Sequence, residues 1–558
     1  MIRRTTKRVR RGGAVVAMTV SAALVLAGCG GDGGDAADGG GASLEDQAVG
    51  AMDDFEADQQ FTATEPVTFS MLWTDWPDNP ITDTWEVFDE IEKRTNVSLD
   101  LTNIPFSDAT EKRSLLISAG DAPSIIPLTY TGDEVQFAAA GAVLPMSDYV
   151  EYMPNFQKYV EEWDLSEMME SLRQDDGKYY MLPGLQEVSV PVFTLILRKD
   201  IFDEVGAEIP ETWDELREGL EKIKEKYPDS YPLADGFEGQ SMINYAAHAF
   251  GTVAGWGLGR AVFWNKDKGE YEFAGNDGYR EMVEYFEGLH SAGLLDAESF
   301  TAANDGAGTV TEKFAAGEVF AASGSAGTVQ EFATALDETV GEGNYELVQI
   351  APPGGPAGQV VEPRNFWNGF MLTADAAKEP NFLAMLQFLD WLYYSPEARE
   401  LLRWGVEGET YDKAADGTIT LRPEYSYDAY NINPDGETDL SKDLGYANAV
   451  LSDATESRSL KQSYNSESLV EYIEKVTSTR TPREPFPAAP LNELELEQSA
   501  LMSTPIKDSL NTATLQFILG QRPLSEWDDF LTEVDGQNLA GYLELINGAQ
   551  KRLAEKTD

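Results

Sequence analysis

From Val67 onward the apolar positions switch repeatedly between a period of two and a helical period. Val67-Thr-Phe-Ser-Met-Leu-Trp73 alternates as a strand does, Trp85, Phe88 and Ile91 recur at helical spacing, and Val97–Leu101 alternates again. Residues 67–101 therefore read as one strand–helix–strand unit. A helix over about 108–119 and a short apolar strand at 123–128 extend the pattern. Asp176-Gly177 is a turn signal ahead of Lys178–Leu182, and Phe193–Leu197 is a further strand. Thr212-Trp-Asp-Glu215 has the spacing of a capping box and opens a helix with Trp213, Leu216, Leu220 and Ile223 on one face. Tyr279, Met282, Val283, Phe286 and Leu289 mark another. A strand at 366–373 precedes an apolar helix carrying Phe382, Met385, Leu386, Leu389 and Leu392, and Ser395-Pro396 caps the next one. Strands alternating with helices at this pitch predict an α/β protein with a parallel sheet.

The first 65 residues follow different rules. Arg3, Arg4, Lys7, Arg8, Arg10 and Arg11 precede an apolar run from Ala14 to Ala27, which is short of the roughly 20 residues a spanning helix needs. The run ends at Leu26-Ala27-Gly28-Cys29, which resembles a bacterial lipoprotein cleavage site and contains the sole cysteine of the chain. Residues 1–28 are thus expected to be a signal peptide and Cys29 the lipidated residue. Two or more acyl chains give a stable anchor on the outer face of the cytoplasmic membrane. Residues 29–64, rich in Gly and Asp, read as a flexible tether.

Charge and rare residues then exclude whole classes. The chain of 558 residues carries 41 Lys and Arg against 97 Asp and Glu, a net charge of −56, which repels phosphate backbones and excludes nucleic-acid binding. With one Cys and two His (His248 and His290), cysteine zinc sites, a disulfide framework and a redox CxxC motif are excluded, and both histidines read as surface or boundary residues. No GxSxG, HExxH or Walker lysine loop is present, and no cofactor or metal is expected. Asn265-Lys-Asp-Lys-Gly269 faintly resembles a calcium loop, but it lacks the terminal Glu and sits between Phe263-Trp264 and Tyr271-Glu-Phe273, so it reads as a hairpin turn.

The aromatic residues carry more information. Trp85, Trp213 and Trp391 lie on helical apolar faces and are assigned to the core. Trp76, Trp256 and Trp367 do not: they stand in a Pro/Asp loop after the first strand, between Gly255 and Gly257, and within Arg364-Asn-Phe-Trp-Asn-Gly369. An indole face beside carboxylates and amides suits a pyranose, which has apolar C–H faces and a rim of hydroxyls. In an open α/β sheet ligands lie beyond the carboxyl ends of strands, where Trp76 and Tyr130 fall. Packing between lobes is the alternative role for these tryptophans.

Seven passages, in order, resemble the extracellular solute-binding proteins (family 1) of carbohydrate ABC importers. They are Ile91–Val97, Lys112–Pro123, Gly141–Pro145, Asp176–Pro183, Leu197–Leu216, Phe388–Glu397 and Phe517–Gly520. Ser124 departs from the pattern, standing where an acidic residue is common. The resemblance implies a two-lobed, periplasmic-binding-protein-like (type II) clamshell with hinge crossings. Lobe 1 would comprise residues 65–190 and 365–405, and lobe 2 residues 191–364 and 406–558. It also implies a non-enzymatic, monomeric receptor that binds a sugar or oligosaccharide between the lobes and delivers it to the transmembrane subunits of a permease. Ligand positions carried over are Asp75, Trp76, Tyr130, Glu187, Trp256, Arg364, Asn365 and Trp367, with Glu407 and Tyr411 as additions. The rival readings are a peptide receptor, a secreted glycoside hydrolase with a carboxyl pair, and a surface adhesin.

Overall fold

Val67–Asp75 is buried along most of its length, as its β-rich, largely apolar sequence demands, and it is an interior strand, second of five in its sheet. In the computed structural model, which describes residues 44–77, 79–301 and 306–557, the parallel partners of this strand are Val97–Pro105 and Ile125–Thr129. The sheet continues through Trp367–Leu372 and Leu182–Gly184, both running antiparallel to their neighbours. It is therefore mixed, where the sequence pattern predicts a parallel one. Trp367–Leu372 enters after an excursion of some 170 residues through the second lobe, so it arrives from the opposite end of the sheet. Gly369 is required there, because a Cβ would lie 1.9 Å from the Leu182 carbonyl oxygen.

A second sheet has the order Leu347–Gln349, Thr194–Arg198, Ala321–Gly324, Leu233–Asp235, with only the last pair parallel. Helix Trp213–Lys226 packs on it, opened by the predicted box: Glu215 N donates to Thr212 Oγ1 at 3.2 Å and Thr212 N to Glu215 Oε2 at 3.2 Å. Helix Pro396–Trp404 starts at Ser395, whose Oγ accepts from Ala398 N at 3.1 Å. Residues 265–269 form the turn of a hairpin, Val262–Asn265 against Glu270–Phe273, closed by Lys268 N donating to Asn265 Oδ1 at 3.1 Å.

Each sheet anchors its own core. Phe69, Ile91, Ile125, Phe370, Phe388 and Trp391 belong to the first; Leu197, Trp213, Leu220, Phe286, Phe517 and Trp527 belong to the second. The C-terminal helices Glu493–Ile518, Trp527–Asp535 and Leu539–Thr557 complete the second lobe. Two expected boundaries change. Residues 406–464, expected in lobe 2, place Tyr411, Leu421, Tyr427, Leu440, Tyr446, Leu451 and Tyr464 in the first core. Residues 44–64, expected to be tether, instead lie on the first lobe: Leu44, Phe61 and Ala63 are buried in its core, and Ala63 N donates to the Thr95 carbonyl at 2.7 Å. A few apolar side chains fix that acidic segment, which average composition conceals. The expected signal segment and the expected lipidation site Cys29 lie outside the described residues. Among the described residues, no helix is long and apolar enough to cross a membrane.

Candidate functional site

Several loops at the carboxyl ends of the first sheet carry aromatic rings. Asp75 ends the first strand, and its Oδ1 accepts from Ile81 N at 2.8 Å, closing the loop that presents Trp76. Trp76 stacks on Phe106, which follows the neighbouring strand, with ring centroids 5.0 Å apart and planes 28° apart. Tyr130 follows Ile125–Thr129 and meets Trp367 edge to face at 6.2 Å; both are exposed, at 48% and 38%. Asp133 holds this turn, its Oδ2 accepting from Tyr130 N at 3.1 Å and from Arg113 Nη2 at 2.9 Å. Burial raises the Tyr130 hydroxyl above its ordinary range, opposed by a hydrogen bond from Asn368.

Beside these rings lies a pocket of about 360 Å³ lined by Trp76, Asn79, Arg403, Tyr430, Asn448 and Asp453. Arg403 is 2% exposed, and its guanidinium donates to Asp453 Oδ1 at 2.9 Å, Glu456 Oε1 at 3.1 Å and Tyr427 Oη at 2.8 Å. The Asp453 side chain is 39% exposed, so a buried cation orients a carboxylate that still reaches solvent. Asn368, buried beside it, donates to the Asp453 carbonyl at 2.6 Å.

The second lobe presents Trp256, 49% exposed, in the turn Gly255–Leu258. Its ring packs edge to face on Phe193 at 5.0 Å and Phe237 at 5.2 Å. The turn lies directly on Asn244: a Cβ at Gly257 would be 2.3 Å from Asn244 Oδ1. Asn244 hydrogen-bonds Glu362, whose carboxyl is raised by burial against that bond. Thr131 and Gly132 of the first lobe and Gly257 and Leu258 of the second line one pocket of about 350 Å³, so Tyr130 and Trp256 flank a cleft between the lobes.

Other predicted positions lie elsewhere. Arg364 directs its guanidinium to backbone carbonyls, those of Trp163 at 2.8 Å, Asp164 at 3.4 Å, Gln186 at 3.0 Å and Glu187 at 3.3 Å. Glu187 Oε2 accepts from Arg458 N at 2.6 Å, at the start of helix Arg458–Tyr464, and Asn365 N donates to Ser189 Oγ at 3.1 Å. These three tie together the chain crossings between the lobes. Tyr411 is 3% exposed and donates its hydroxyl to Glu400 at 2.6 Å, which makes it a core residue and not a ligand contact. Glu407 is exposed and bridges to Tyr411 on that side of the lobe. His248, expected at a surface or boundary position, is buried, and burial pushes it down to about 3, so it is neutral. The sequence reading missed Phe106, Glu362, Asn368, Arg403, Tyr430 and Asp453. Among them Phe106 had a sequence signal in its place just after a strand, and Asn368 in its place within the Arg364–Gly369 stretch.

Two α/β lobes, joined by crossings and facing each other across an aromatic cleft, define a type II periplasmic-binding-protein-like fold. The chain belongs to the bacterial extracellular solute-binding protein family, whose model matches residues 86–404. Relatives include FusA, the fructooligosaccharide ABC transporter substrate-binding protein of Streptococcus pneumoniae serotype 4, 25% identical over 82% of this chain and 85% of FusA. YtcQ, the polygalacturonan/rhamnogalacturonan-binding protein of Bacillus subtilis strain 168, is 24% identical over 82% of this chain and 86% of YtcQ. The crystal structure of an extracellular solute-binding protein from Bifidobacterium longum subsp. infantis superimposes with a TM-score of 0.64 at 15% identity, covering 88% of this chain and 99% of that one. These are substrate-binding proteins, and this chain is a binding protein, not an enzyme.

Proposed function

We propose that this protein is a lipid-anchored receptor that captures a sugar or oligosaccharide in the interlobe cleft and delivers it to an ABC permease. The observation that carries the reading is the set of rings around the cleft: the partly buried Trp76 on exposed Phe106, exposed Tyr130 against exposed Trp367, and exposed Trp256 on the second lobe. Such rings cover the C–H faces of pyranoses or furanoses, while Asp453, Asn79 and Asn448 supply partners for hydroxyl groups. Two relatives named for carbohydrates, over four-fifths of the chain, support the class. One is named for fructooligosaccharide and the other for polygalacturonan, so similarity leaves the charge of the ligand open.

Acylation at Cys29 would hold the receptor at the membrane, and the lobes would close on the solute before docking on the permease. The test is a thermal-shift screen of the Leu44–Asp558 unit against mono- and oligosaccharides, with amino acids and short peptides as controls. A sugar that stabilises the protein and is recovered unchanged supports the reading. A shift from a peptide alone would overturn the carbohydrate assignment and keep the transport role.

A further inference from the structure

Beside the ring platforms of the first lobe the cations are already paired or held by carbonyls, while carboxylates remain at the surface. Arg403 is buried under Asp453 and Glu456. Arg113 is held by Asp133 at 2.9 Å and by the Leu128 carbonyl at 3.0 Å. Arg364 is fully directed to backbone carbonyls. Against these stand Asp453, with its side chain 39% exposed beside Trp76 and Tyr430, and Asp133 at the Tyr130 turn. Glu362 lies beneath the Trp256 turn with Asn244 as its partner.

We infer that the solute is a glycan without carboxylate groups, and that Asp453 on its Arg403 support is the residue that sets this selectivity. The inference rests on the reading of the cleft as a carbohydrate site. A sugar hydroxyl can donate to the Asp453 carboxylate in a charge-assisted hydrogen bond. A uronate placed on the same rings would bring a second carboxylate against Asp453, whose pocket has the paired Arg403 as its one lining cation, in a chain whose net charge of −56 adds to the repulsion. Arg403 is buried and held away from such a ligand, Nη1 donating to Tyr427 and Nη2 to Asp453, Glu456 and the Ser452 carbonyl.

Two arginines near the cleft, Arg260 and Arg483, form no ion pair among the described residues. Arg483 lies 3.7 Å over the Phe486 ring and donates to the Glu484 carbonyl at 2.9 Å, and Arg260 donates to the Ala489 carbonyl at 2.9 Å. Both line the interlobe pocket between Thr131 and Gly257, which also contains Glu134 but none of the platform rings Trp76, Phe106, Tyr130, Trp256 and Trp367. They do not supply a cation over those rings.

The experiment is calorimetric titration of the Leu44–Asp558 unit with size-matched neutral and acidic sets. The neutral set is kestose with galacto-, xylo- and cello-oligosaccharides; the acidic set is di- and trigalacturonate and guluronate oligomers. At least one neutral compound is expected to bind, and every acidic one to bind at least about 100-fold more weakly, at low and at physiological salt. Asp453→Asn is expected to weaken the neutral ligand about 10-fold or more, with Glu456 still pairing Arg403, and a thermal melt reports whether the variant is folded. Galacturonate or guluronate binding as tightly as the neutral compounds would overturn this inference and leave the carbohydrate reading standing. Unchanged affinity in a folded Asp453→Asn would remove Asp453 from the role. Silence from both sets would overturn the carbohydrate reading, and this inference with it.

Discussion

The rings of Tyr130 and Trp367 meet edge to face with centroids 6.2 Å apart, although 237 positions separate them in the chain. Trp367 begins the strand that returns from the second lobe, and Tyr130 begins the loop after its neighbour in the sheet. That pairing makes one wall of the cleft from two distant segments. Trp367→Ala, Trp76→Ala and Trp256→Ala should each weaken binding of the cognate solute by roughly 1–3 kcal/mol through lost ring contact. Because all three rings are partly open to solvent, denaturant midpoints should change little. Titration calorimetry beside urea melts checks both halves.

Arg364 should behave in the opposite way. Its guanidinium joins carbonyls at 163–164 to those at 186–187, so Arg364→Ala leaves partly buried acceptors without these donors. The expected cost is about 2–3 kcal/mol of stability. Solute affinity in the folded fraction should change by less than the loss in a tryptophan variant. A variant that lost binding with full stability would return Arg364 to the ligand site.

Asp235 gives a pH signature. Burial pushes its carboxyl up to about 7, opposed by backbone donors at Met242 (3.3 Å), Phe237 and Ser241 and by the Ser323 side chain. In the unfolded chain an aspartate titrates near 4, so folding takes up a proton between those two values. The contribution is complete below about pH 4, is lost as pH rises to about 7, and is constant beyond. Asp235→Asn cannot lose that proton. Its stability relative to the parent should therefore rise from pH 4.5 to 7.5, by an amount on the order of a few kcal/mol. Asp390, also raised to about 7 by burial, is common to both proteins and cancels in the difference. Urea midpoints across that range provide the measurement.

The segment before the first strand should prove structural. Phe61 is fully buried against Phe55 and Phe388, so Phe61→Ala should cost about 3–5 kcal/mol. A chain beginning at Glu65 should lose at least as much. Equal melting temperatures for that chain and one beginning at Leu44 would show that the segment only rests on the surface.

Cys29→Ser should abolish lipidation and leave the protein unprocessed or released into the medium. Fractionation after metabolic labelling with a fatty acid reads the outcome. Label persisting on the variant in the membrane fraction would defeat the anchor.

The sequence by itself determined the kinds of element and much of their placement. Alternation at 67–73, the capping box at Thr212 and the Ser395-Pro396 start depend on neighbours within a few residues, and each is present in the fold. It also separated Trp85, Trp213 and Trp391, which are buried, from Trp256 and Trp367, which are exposed, because helical periodicity reports burial directly. What it could not determine was pairing over long distances. Among 97 carboxylates nothing local distinguishes Asp453, whose position depends on Arg403 being buried 50 positions earlier. Nor does a motif reveal that Arg364, in an apparently ligand-like stretch, is taken up by four carbonyls, or that Tyr411 and residues 406–464 fold back onto the first core. Those choices follow from which buried polar group must find a partner once the chain has crossed between lobes, and only the tertiary structure brings the partners within reach.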